Sequence, residues 1–130
     1  MATEPEEAWA DLEAAAREVA ADSRLDPDWL SRDCRMWAWA LPLGWRARCA
    51  EVGVFGGLRV LRLSRVDLIA SKVMGAPKRI QDQRDLTAMQ PTAEELRAVE
   101  ANLDRLSAES LDGERFEDER QVVEGLRGAG

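Results

Sequence analysis

Three residues in the middle of the chain have types and spacing suited to chemistry: Lys72, Asp82 and Asp85. Lys72 follows Leu68 by four positions and Ile69 by three, so on a helix it projects from the apolar side. An ammonium in that place either meets an anion or snorkels to the rim. Asp82 and Asp85, three apart, share a helix face with Met89, and Lys78, Arg79 and Arg84 crowd around that face. The set can serve an anionic ligand, or it can simply pair with itself at helical spacing.

The elements that must position these residues lie between 58 and 91. Leu58, Val60, Leu61 and Leu63 are apolar on both parities, which suits a strand buried on much of both faces. Ser64 stands where a helix N-cap belongs, with Asp67 at N3 near the positive end of the helix dipole. Val66, Leu68, Ile69, Val73 and Ala76 form the expected buried stripe, and Gly75 and Pro77 end the helix. A second helix spans 78–90. Pro91 stops it, and Thr92 caps the next helix with Glu95 at N3.

The flanking sequence supplies the rest of an α+β domain, 1–130, with a β-hairpin packed against four to five helices. Residues 4–22 read as a helix burying Trp9, Leu12, Ala16 and Val19. Asp26 and Pro27 open a short helical turn. Residues 34–45 hold Trp37, Trp39 and Trp45 in a loop broken by Pro42 and Gly44, expected to plug against the sheet or to bind a partner. Residues 46–63 read as a hairpin, with strands 46–55 and 58–63 and a Gly56-Gly57 turn. Leu96, Val99, Leu103 and Leu106 mark a helix over 92–107, with Arg97, Glu100, Asp104 and Arg105 outside. Phe116, Val123 and Leu126 mark another over 114–127.

Composition excludes several function classes. The 130 residues contain no histidine and no tyrosine, which removes His-based triads, His metal sites and tyrosine general acids. The two cysteines, Cys34 and Cys49, form no CxxC pattern and read as reduced thiols of a cytoplasmic protein. No apolar run reaches the length of a membrane span, so no membrane partner is expected. The net charge of −7 is unevenly spread: residues 1–45 carry −6, 46–85 carry +5 and 86–130 carry −6. A basic middle between acidic ends marks an anion-binding surface or a block that the acidic helices neutralise. Asp26-x-Asp28 has the spacing of a two-metal carboxylate pair, but no glycine-serine turn and strand precede it, so no metal is assigned. The glycines of GVFGG do not open a helix before a Lys-Ser/Thr, so they are a hairpin turn and not a phosphate loop.

The runs WLSRDCRMW, LPLGWRARC, GGLRVLRLSRVDLIASKVMGA and QDQRDLTAMQPTAEEL resemble the C-terminal part of a bacterial nucleotidyltransferase-like family of uncharacterised function. That family is similar to the minimal nucleotidyltransferases of toxin–antitoxin systems. The resemblance covers roughly residues 10–128 and rests on DLIASK followed by DxxDL and PTxEEL. It implies that Lys72 stands near nucleotide phosphates and that Asp82 and Asp85 orient it as catalytic residues, vestigial or complementing. Lys78, Arg79 and Arg84 join Lys72 as nucleotide-binding residues on the same footing. The chain departs from the family at one point: the Gly-Ser and Asp-x-Asp segment that grips Mg²⁺ has no counterpart before Asp26. The expectation is therefore an incomplete nucleotidyltransferase-like protein acting as a non-catalytic interaction protein. Its partner would be another copy or the product of an adjacent gene, bound through Trp37, Trp39 and Trp45, with no cofactor of its own. The alternative is one half of a split nucleotidyltransferase, taking Mg²⁺ and a nucleoside triphosphate only when complemented, or a weak nucleotide or RNA binder.

Overall fold

A computed structural model describes residues 8–26 and 38–129. The expected turn after Asp26, together with Cys34 and Trp37, lies outside the described residues. The chain divides into two compact units, Met1–Trp39 and Ala40–Gly130.

The first unit contributes one described helix, α1 (Trp9–Ser23), which ends on Arg24 in the left-handed region at φ 57°. Trp9, Ala16 and Ala20 are its buried residues, and the Trp9 indole donates to Glu13 one turn on. Val19 is exposed instead of buried. The buried line thus runs from Ala16 to Ala20, a four-residue step that passes Val19 by.

The second unit holds a two-stranded antiparallel sheet and five helices among the described residues, an α+β arrangement. In chain order these are α2 (Trp45–Arg48), β1 (Ala50–Phe55), β2 (Leu58–Arg62), α3 (Arg65–Gly75), α4 (Ile80–Met89), α5 (Ala93–Glu109) and α6 (Glu117–Ala129). α3 is the centre: it packs on α4, α5 and α6. Ile69 and Val73 of α3 meet Leu86 of α4, Leu96 and Leu103 of α5, and Val123 of α6 in one core. Each such side chain stabilises by about 1.5–3 kcal/mol when fully buried, so these contacts and not surface ion pairs hold the unit together.

The caps follow their residue types. Ser64 accepts from the Asp67 amide at the start of α3, and Thr92 and Glu95 close a reciprocal capping box on α5. Phe116 precedes α6 at φ 58°, a costly conformation for an aromatic residue. It is held there by its buried ring and by its amide donating to Glu114.

Three expectations fail. The first strand begins at Ala50, because residues 45–48 close a helical turn after Gly44, whose φ is 81°. That conformation turns the chain instead of extending it. The tryptophan loop is described from residue 38 on. Its Ala40 is buried in the helical core, where the Ala40 carbonyl accepts from Asn102 of α5 at 2.8 Å. Arg105, expected on the outer face of α5, reaches back to the Leu41 carbonyl at 3.1 Å. Finally, the hairpin is not buried on both faces. Val52, Val54 and Leu61 are 58%, 61% and 43% exposed, because the strands pack mainly on each other while the helices pack on helices.

Candidate functional site

The hydrogen-bonded register sorts the hairpin side chains. Val54 stands opposite Arg59 and Glu51 opposite Leu61, with an irregularity between Glu51 and Gly53 that leaves Val52 without a register partner. One face therefore gathers Val54 and Leu61, flanked by an Arg59–Glu51 ion pair at 2.6 Å, and Val52 at the irregularity is exposed as well. Gly56, at φ 63°, makes the turn; a Cβ there would touch nothing, so the demand for glycine is conformational. Both outer edges of the sheet are open among the described residues.

The second candidate is the polar cluster between α3 and α4. Lys72 Nζ donates to Asp85 Oδ2 at 2.7 Å and stands 3.5 Å from Asp82 Oδ1. Gln81 donates to the other oxygen of Asp85 at 2.8 Å, and Arg79 Nε lies 3.6 Å from Asp82 Oδ2. Asp82 is buried with its carboxylate lying on Gly75, where any Cβ would overlap Oδ2. The structure thus brings Lys72, Asp82 and Asp85 together and adds Arg79. Lys78 and Arg84 are exposed and have no ion-pair partner among the described residues. Arg84 lies about 200° around α4 from Asp82, which keeps it out of the cluster.

The electrostatics of the cluster limit its chemistry. The Asp85 hydrogen bond, against the opposing pull of burial, holds the Lys72 ammonium above the usual lysine value. The Lys72 hydrogen bond, then that of Gln81, holds the Asp85 carboxyl below the usual carboxylate value. Both groups are charged at neutral pH, so the Lys72 amine has no free lone pair to act as nucleophile or base, and the Asp85 carboxylate, held by Lys72 and Gln81, is a weakened proton acceptor. Two cations face two carboxylates, and the formal charges cancel. This arrangement clasps α3 to α4 and leaves no spare ammonium for an anion. Lys72→Met, which leaves buried Asp82 without its nearest full counter-charge, should lower stability by about 1 kcal/mol in urea unfolding. An unchanged midpoint would show that the clasp contributes nothing.

No protein-family model, curated protein or solved structure matches this chain. The site is therefore read from its own geometry. Among the described residues no three His, Cys, Asp or Glu side chains gather closely enough to hold a metal ion. No helix among them is long and apolar enough to cross a membrane.

Trp39, in the first unit, is 58% exposed. Trp45 is half-buried, with the Arg46 guanidinium 4.7 Å from its ring centroid. Cys49 is a free, half-buried thiol donating to the Trp45 carbonyl at 3.4 Å.

Sequence reasoning missed the best-buried charge of the unit. Asp67 is fully buried, and Arg48 grips it with two hydrogen bonds, Nε to Oδ2 at 2.9 Å and Nη2 to Oδ1 at 2.7 Å. The Ser64 hydroxyl donates to Oδ2 at 2.6 Å. Arg48 also donates to the Leu43 carbonyl at 2.9 Å, tying the turn before the hairpin to the start of α3. Asp67 at N3 was legible as a helix-start residue, but nothing in the spacing ties it to a cation 19 positions upstream.

Burial alone would raise the Asp67 pKa. Its hydrogen bonds from Arg48 and Ser64, with the Arg48 charge, outweigh that and hold the carboxyl below the usual range. A depressed folded pKa means that the unfolded chain takes up the proton first as pH falls. The stabilisation is therefore whole above the unfolded aspartate value of about 3.9 and is lost as pH drops through the folded one. Urea midpoints should hold steady from pH 7 to 5 and fall below about pH 4. The double variant Arg48→Met/Asp67→Leu should lose less on acidification than the parent; an equal loss would assign the acid sensitivity to other carboxylates.

Proposed function

We propose that this chain is a non-catalytic interaction protein that docks a protein partner on its β1–β2 hairpin. One observation carries the reading: the two-stranded sheet exposes Val52, Val54 and Leu61 beside the Arg59–Glu51 ion pair. A two-stranded hairpin is marginal in water, and an added strand or a covering helix is what stabilises one. The resemblance to an incomplete nucleotidyltransferase-like protein agrees with this reading, since such a chain keeps the hairpin and helices without the metal-gripping segment. The Lys72 cluster supports it from the other side, because its charges are spent on one another.

The test is a single exposed substitution. Val54→Lys should leave the unfolding midpoint within about 0.5 kcal/mol of the parent, as surface changes away from caps and buried networks do. Protein purified from its native cells should run as a complex by light scattering and cross-linking, and Val54→Lys should abolish that complex. A monodisperse monomer from those cells, with no co-purifying protein, would end the proposal.

A second reading, one half of a split nucleotidyltransferase, is favoured by the position of Lys72 between Asp82 and Asp85. It requires an Asp-x-Asp chain that co-purifies with this one. It also requires a thermal shift with Mg²⁺ and ATP that appears only in the complex. Phosphoryl transfer is mostly positioning and metal electrostatics, so no activity is expected of this chain alone.

A further inference from the structure

We draw no further inference here: the strongest candidate, the exposed apolar patch of the β1–β2 hairpin at Val52, Val54 and Leu61 with its two open strand edges, already carries the proposed function, and nothing in the structure shows which class of partner covers it.

Discussion

Arg48→Met should destabilise the second unit by about 3 kcal/mol, the lower end of the range for breaking a buried ion pair. The size follows from which partner is left behind. Asp67 is 0% exposed, so its carboxylate would keep only the Ser64 hydroxyl and its helix-start position for solvation. The Arg48 side chain is 40% exposed and keeps water on one side, which trims the effect below the upper figures. The same asymmetry fixes the order of the variants. Asp67→Asn strands an arginine that can swing into water, so it should cost clearly less than Arg48→Met. Arg48→Met/Asp67→Leu removes both charges and should recover part of the loss, because a buried pair is often replaced by apolar groups at little net cost. Urea unfolding of the four proteins decides it. Equal effects of the two single variants would mean that the pair is solvated as a surface contact is, and that the hairpin is joined to α3 by other means.

Gly75→Ala should cost about 2 kcal/mol, although alanine is the better helix former. A Cβ at Gly75 would overlap the Asp82 carboxylate, and Asp82 is buried, so it must leave the Lys72 clasp or push α4 outward. Overpacking of this kind costs roughly 1–3 kcal/mol, more than the gain in helix propensity at a terminal position returns. Gly125 of α6 is the control. Nothing lies within 4 Å of a Cβ there, so Gly125→Ala should stabilise by about 0.5–1 kcal/mol. A double-variant cycle gives the sharper reading. In an Asp82→Ala background the overlap is gone, and Gly75→Ala should become neutral or stabilising. If the penalty persists there, the glycine is needed for the helix end and not for the aspartate.

These two expectations mark how far the candidate site could be read in advance. Lys72, Asp82 and Asp85 were legible because helical spacing is local: a lysine three residues after Ile69, which is buried, lies beside the packed side even though Leu68 is exposed, and two aspartates three apart have to share a face. Their meeting needed only two consecutive helices joined by a short break at Pro77, which brings the facing sides together. The consequence of their meeting was not legible. That Asp82 lies on Gly75, and that the charges cancel, depends on the distance between α3 and α4, which spacing along one helix does not contain. Arg84 shows the limit in the other direction, since charge clustering in sequence placed it with Lys72 while helix rotation turns it away.

The chain by itself determined the longer helices, the Ser64 and Thr92 caps and the hairpin turn, though not α2, because Ser64, Thr92, Gly56 and the Leu96–Leu106 stripe act within a few residues through backbone hydrogen bonds, allowed φ values and a 3.6-residue period. Only the tertiary structure decided what those elements cover. An apolar run such as Leu58–Leu63 predicts a strand but cannot say whether a neighbour packs on it, and here the helices chose one another and left Val52, Val54 and Leu61 to solvent. The Arg48–Asp67 grip belongs to the same class. It joins residues from two elements, and its strength comes from the burial that the folded chain alone creates around them.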